Sequence, residues 1–350
     1  MASTRAFAAF LLFISTTNAL YDWGLYTNKD LQYGTTMISR DPGNYVVYVL
    51  CSNSAKNCDY LNNVTLDVYQ QPMTTHISLS KIASVYSSQT PMKGYQVNIT
   101  LFSQQTLQIF NPWLNSVVAP SYVVYVLKDL STSIPVYNAV AISGRSTSTS
   151  ASSATVLSAE PLFTLNSFTI DQGSSVGVFT TTPIQIDDDH KVLGADNQVV
   201  AHNSVTTVVG PIATLNTTGK SIGFGLSRDS DFARTLGPDS IFSFSTAGYA
   251  SYTGAMYPFL YSYQFADPIP KVQRYALDSK RPFTMLIRAN YCSFWSGFKV
   301  LTSNGQEFKF DNGQYNVQTP PITGATWVEF HIRREVVTPA ARYTVQLSTV

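Results

Sequence analysis

The chain has 350 residues, of which 44% are hydrophobic and only 12% charged, so it can bury at least one sizeable core and bulk disorder is excluded. Tyr (21) and Phe (20) are abundant while helix-favouring charged residues are scarce. That is the composition of strands joined by polar turns, and the expected fold is all-β, with two β-sandwich domains.

Residues 1–19 carry Arg5 ahead of an apolar run from Ala6 to Ile14 and end in the small residues Thr17-Asn18-Ala19, which predicts a cleaved signal peptide. No later window offers a membrane-spanning apolar run, so a secreted, extracellular protein without a membrane span is expected. Loss of Arg5 leaves 21 basic residues against 21 acidic ones. With no basic field to draw phosphates, nucleic acid is excluded as an expected partner. Secretory routing gives meaning to three sequons, Asn63-Val64-Thr65, Asn98-Ile99-Thr100 and Asn216-Thr217-Thr218, whose asparagines are candidate glycosylation sites.

A turn at Arg40-Asp41-Pro42-Gly43 leads into Tyr45-Val46-Val47-Tyr48-Val49-Leu50, a bulky run that predicts a strand buried on both faces. Tyr122 to Leu127 repeats the same six letters, and convergence of two buried strands is preferred to internal duplication because the flanks diverge at once. Cys51 and Cys58 are expected to close a small disulfide loop in an oxidising compartment. Cys292 is then left over among Tyr291, Phe294 and Trp295; burial is favoured over an intermolecular bridge or a reactive thiol. Half-buried strands are predicted at Val64 to Tyr69, His76 to Leu79, Tyr95 to Phe102, Leu107 to Phe110 and Val136 to Ile142.

These place an N-terminal β domain at 20–142. Residues 143–160 contain Ser143-Gly144-Arg145-Ser146-Thr147-Ser148-Thr149, nearly devoid of core-forming side chains, and read as a linker or a long exposed hairpin tip. A second β domain is expected over 161–350, with strands at Phe163 to Ile170, Val176 to Ile186, Val199 to Val209 and Ile222 to Leu226. Tyr257, Phe259, Tyr261, Tyr263 and Phe265 occupy alternate positions, an aromatic ladder read as inter-sheet core, with a sugar-stacking platform as the functional alternative.

Candidate chemistry is sparse. Gly173-Ser174-Ser175-Val176-Gly177 has the nucleophile-elbow spacing, but a β-type run follows instead of a helix, so a hairpin turn is expected and no catalytic residue is assigned. A secreted hydrolase using Ser175, or Asp187 with Asp189, stays as the alternative. Asp187, Asp188, Asp189 and Asp196, with His190 adjacent, form an acidic cluster with the oxygen ligands that Ca2+ prefers; solvated turns are the expected reading, and no cofactor is assigned. Asp229 and Asp231 make a smaller acidic pair. His76, His190, His202 and His331 show no metal-ligand spacing.

From Phe283 to Leu347 the order is an apolar strand with Cys292, then Gly297-Phe298-Lys299-Val300-Leu301, a turn at Ser303-Asn304-Gly305, Pro320-Pro321, the strand Trp327-Val328-Glu329-Phe330, and a closing Tyr343-Thr344-Val345. This resembles the latter part of a CUB domain, and the whole layout is similar to the secreted CUB-like proteins of nematodes. The resemblance implies a jelly-roll-like sandwich and an extracellular role in responses to infection. It carries over no site residues: paired cysteines are missing from this region, and the family's calcium-binding acidic residues have no matching positions. The function expected is non-enzymatic recognition of an extracellular protein or glycan, with Trp113, Trp295, Trp327 and the ladder as places where exposed rings would bind. A structural component of an extracellular matrix or surface coat is the remaining alternative.

Overall fold

The computed structural model describes residues 23–27, 31, 33–51, 58–83, 96–112, 122–128, 134–139, 144–159, 162–183, 186, 188–209, 211–227, 239–245, 272–277, 281–290, 298–310, 316–332 and 342–350. Eight strands open it: β1 (Trp23–Thr27), β2 (Gly34–Ser39), β3 (Gly43–Cys51), β4 (Thr65–Gln70), β5 (Met73–Ser78), β6 (Gln96–Leu101), β7 (Thr106–Asn111) and β8 (Tyr122–Lys128). They form two four-stranded antiparallel sheets, a first of order β2-β7-β4-β5 and a second of order β1-β8-β3-β6. The two look-alike runs are β3 and β8, and they pair with each other, Tyr48 opposite Tyr125 with stacked rings 6.3 Å apart. Alternation then sends Val47, Val49, Val124 and Val126 into a core shared with Leu66, Leu107 and Ile109 of the first sheet. Leu50, Val123, Tyr125 and Leu127 point the other way and are equally buried. The second sheet is therefore a wall covered on both sides, as the unbroken apolar runs predict.

What covers its far side comes from the next nine strands: β9 (Val136–Asn138), β10 (Arg145–Thr149), β11 (Ser153–Leu157), β12 (Leu162–Ile170), β13 (Val176–Phe179), β14 (Lys191–Ala195), β15 (Val205–Val209), β16 (Ile212–Thr217) and β17 (Ile222–Ser227). A third sheet has the order β14-β13-β16-β11-β9, and its Val136, Leu157 and Ile212 pack on Leu50, Tyr125 and Leu127. Residues 143–160, expected as a linker or hairpin tip, hold β10 and β11, which enter two different sheets opposite β17 and β16. The main-chain ladder supplies what the small side chains lack. Likewise Val136–Asn138 pairs in parallel with β11, while Val136 packs on Leu50 and Tyr125 of the second sheet. The strand expected over Val199 to Val209 is split. Asn197 accepts a hydrogen bond from the Val200 N–H through its side chain, capping a short helix Gln198–Asn203, and only Val205–Val209 is extended.

The last eight strands are β18 (Ile241–Ser245), β19 (Val272–Ala276), β20 (Phe283–Asn290), β21 (Phe298–Thr302), β22 (Glu307–Phe310), β23 (Val317–Gln318), β24 (Trp327–Ile332) and β25 (Arg342–Thr349). A fourth sheet of eight strands, β10-β17-β12-β15-β18-β25-β20-β23, receives strands from both halves of the chain, and a fifth has the order β19-β24-β21-β22. The fourth sheet serves two cores. Phe163, Leu165, Val208 and Phe224 pack against the third sheet, whereas Val205, Phe242, Met285, Ile287, Val345 and Leu347 pack with Val300 and Val328 of the fifth. Where the third and fourth sheets meet beyond their apolar core, Gln346 Nε2 donates to the Val192 carbonyl at 2.8 Å. The result is an all-β sandwich fold of five sheets among the described residues, each consecutive pair sharing a core.

Candidate functional site

Among the described residues the side chains that join the first sheet to a core lie on one face. Since Leu66, Leu107 and Ile109 point inward, their neighbours Thr65, Asp67, Tyr69, Gln108 and Phe110 line the opposite face. Register aligns them in cross-strand rows. Thr35, Phe110, Thr65 and Ser78 form one, Met37, Gln108, Asp67 and His76 the next, and Thr106, Tyr69 and Thr74 the third. Met37, Tyr69 and Phe110 are exposed on this face. Tyr33 and Phe102, at the ends of neighbouring segments, are exposed too, so the exposed large apolar side chains of the described residues concentrate between residues 33 and 110.

Asp67 sits at the centre of this face and is only 3% exposed. His76, directly opposite on β5, covers it, with Nδ1 2.8 Å from Asp67 Oδ1, while the imidazole itself is largely open to solvent. At the Tyr69 end, Gln105 Nε2 donates to Gln70 Oε1 at 2.9 Å and Gln105 Oε1 accepts from the Phe102 N–H at 2.8 Å. These contacts tie the end of β4 to the turn before β7. Four residues of strand separate the Phe110 row from the Tyr69 row, roughly 14 Å, with the Gln108–Asp67–His76 row between them.

The residues singled out from the sequence are dispersed. Cys51 and Cys58 are joined in a disulfide, Cα atoms 6.1 Å apart, and both are buried beside Leu61 in the core between the first two sheets. Asn63 is exposed in the turn before β4 and Asn98 is exposed on β6, whereas Asn216 is half-buried on β16. Ser175 precedes β13 in a turn; its N–H donates to Thr218 Oγ1 at 2.9 Å, and its hydroxyl lies 3.4 Å from the same oxygen, so its neighbour is another hydroxyl and not an imidazole. Asp188 and Asp196 are exposed and His190 is buried. Among the described residues no three His, Cys, Asp or Glu side chains converge on a point where a metal ion would sit. His202 is exposed and Trp327 half-buried. Residues 1–19, Asp187, Asp229, Asp231, Cys292, Trp113, Trp295 and the ladder Tyr257, Phe259, Tyr261, Tyr263 and Phe265 lie outside the described residues, as do the side chains of Asp189 and His331.

Two further polar sites shape the electrostatics. Asp171 accepts hydrogen bonds from Ser221 Oγ and from the N–H groups of Lys220 and Ser221. The Ser221 hydroxyl, followed by the Lys220 amide, holds its carboxyl below the usual range. Inside the wall, burial pushes the Tyr48 hydroxyl up to about 12 and raises Tyr125 further, so both stay neutral. Among the described residues no helix is long and apolar enough to cross a membrane.

No family model matches the chain, and no curated protein matches it. Three solved structures illustrate its likenesses. The tripod from the baseplate of bacteriophage Tuc2009 is 11% identical, covering 22% of this chain and 78% of that one, with a TM-score of 0.17. The CUB1-EGF-CUB2 region of human MASP-1/3 is 10% identical, covering 59% and 94%, with a TM-score of 0.17. The insecticidal delta-endotoxin Cry8Ea1 from Bacillus thuringiensis is 10% identical, covering 91% and 54%, with a TM-score of 0.21. Likenesses this weak carry no argument about what the chain does.

Proposed function

We propose that the chain is a secreted, non-enzymatic recognition protein that binds glycans through the outward face of its first sheet. The observation that carries this reading is the row Gln108–Asp67–His76 flanked by the exposed rings of Phe110 and Tyr69. A pyranose ring presents an apolar C–H face and a rim of hydroxyls, so it is bound by aromatic faces beside fixed amide, carboxylate and imidazole groups. This face offers exposed rings beside the Gln108 amide and the His76 imidazole, over a span longer than a single sugar ring. A disulfide suits an oxidising extracellular setting, and the CUB-like order of features over residues 283–347 supports a role in extracellular defence.

The test is a glycan-array and bacterial-surface screen of the secreted protein, run with calcium and with chelator. Saturable binding that Phe110→Ala and Tyr69→Ala each weaken about tenfold, the equivalent of ~1.4 kcal/mol per lost stacking ring, supports the reading. Binding untouched by both substitutions would move the site elsewhere. Binding abolished by chelator would point instead to Asp187, Asp188, Asp189 and Asp196 as a Ca2+ site.

A further inference from the structure

The three sequons are equivalent as triplets but not as places in the fold. Asn63 stands exposed in the turn that follows the 3-10 helix Asp59–Leu61, and that turn is fixed from the other side, where Ser78 Oγ donates to the Asn62 carbonyl and Ser80 Oγ to Asn62 Oδ1. Asn98 stands exposed on β6, the edge strand of the second sheet, with one cross-strand neighbour, Val46. Its side-chain oxygen takes a long contact of 3.5 Å from Gln96 Nε2. Both side chains are exposed among the described residues.

Asn216 is different. β16 is the central strand of the third sheet, so Asn216 has Ser153 on one side and Gly177 on the other. Its Oδ1 accepts from Ser153 Oγ at 2.9 Å. The open place that Gly177 would leave is filled, because the Phe179 ring folds back to where a Cβ on Gly177 would lie, 2.6 Å from the ring carbon. The rest of the triplet is held as well: Thr217 Oγ1 donates to the Ser175 carbonyl at 2.7 Å and Thr218 Oγ1 accepts from the Ser175 N–H. The Asn216 amide is thus half-buried on a central strand and held in place through the Ser153 bond, so a branched sugar on its nitrogen has less room than one on either exposed asparagine.

We infer that Asn63 and Asn98 carry N-linked glycans in the secreted protein and that Asn216 does not. The reaction joins the side-chain nitrogen to the anomeric carbon of an oligosaccharide carried on a polyprenyl diphosphate. A C–N bond forms, the bond from that carbon to the diphosphate oxygen breaks, the nitrogen gives up one proton, and the polyprenyl diphosphate leaves with the electron pair, with no change of oxidation state. The inference rests on the reading that the chain is secreted, and the experiment separates the two.

The full chain is expressed in eukaryotic secretory cells in two forms, one with its own residues 1–19 and one with those residues replaced by an established leader. Secreted protein is treated with peptide N-glycosidase in heavy-oxygen water, which converts each glycosylated Asn to labelled Asp, and peptides are read by mass spectrometry. Labelled Asp at 63 and 98 with unmodified Asn216 is the expected pattern. Label at 216, or its absence at 63 or 98, overturns the inference. Failure of only the native-leader form to reach the medium refutes secretion by residues 1–19 and leaves the pattern from the other form to decide the site assignment.

Discussion

Among the described residues the core between the second and third sheets is the smallest of the four shared cores, and Leu157→Ala tests it. Leu157 is fully buried, faces Ile212 in register on β16, and packs in one cluster with Leu50, Tyr125 and Leu127 of the second sheet. Truncation removes three carbons, about 2.4 kcal/mol of transfer free energy at ~0.8 kcal/mol each. The cavity left between two rigid sheets adds to this, for a total of about 3–4 kcal/mol. The assay is urea unfolding combined with hydrogen exchange resolved to peptides. Faster exchange is expected in β3 and β8 as well as in β11 and β16, because the two sheets are stabilised by the same contacts. A loss below about 1 kcal/mol, or an effect confined to β11 and β16, would refute the claim that the first eight strands and the later ones share this core.

Replacing Cys51 and Cys58 by Ser opens a loop of sequence separation 7 and is expected to destabilise the first two sheets by roughly 2.5 kcal/mol on the chain-entropy estimate, read as a lower urea midpoint. Asp171→Asn is expected to flatten the acid limb of the stability curve. Because the folded carboxyl titrates below its unfolded value near 4, its stabilisation is present above about pH 4 and is lost as the pH falls through the folded value. Urea midpoints at a series of pH values check this; equal slopes in both proteins would show that the turn contacts do not favour the ionised form. His76→Ala uncovers Asp67, and a loss of about 1 kcal/mol is expected, with Asp67→Asn in the same background restoring part of it.

Strand positions were largely legible in the sequence, because Val, Ile, Tyr and Phe runs such as Tyr45–Leu50 and Tyr122–Leu127 leave few other ways to bury them. Partnership was not. That these two strands pair with each other, Tyr48 opposite Tyr125, depends on contacts between residues more than 70 positions apart, which no local pattern encodes. The Ser- and Thr-rich strand β10 escaped notice because its register is held by main-chain bonds to β17, and Ser and Thr are as common in loops as at sheet edges. The helix Gln198–Asn203 was hidden by Val199 and Val200, whose β preference is overridden by the Asn197 cap. At the candidate site, Asp67 and His76 are nine residues apart and belong to two adjacent strands; the cross-strand pairing appears only when the turn between β4 and β5 sets the register. The alternation over Val64 to Tyr69 does place Asp67 and Tyr69 on one face, and that was the available signal.

The fourth sheet also orders events in time. β25, Arg342–Thr349, lies between β18 and β20, both of which leave the ribosome before it. Until β25 arrives, β18 and β20 each lack their partner on that side, and Phe242, Met285 and Ile287 lack the cover of Val345 and Leu347. The earlier sheets can close during synthesis, whereas the centre of this one waits for β25. The interval is a window in which exposed strand edges invite pairing with other chains.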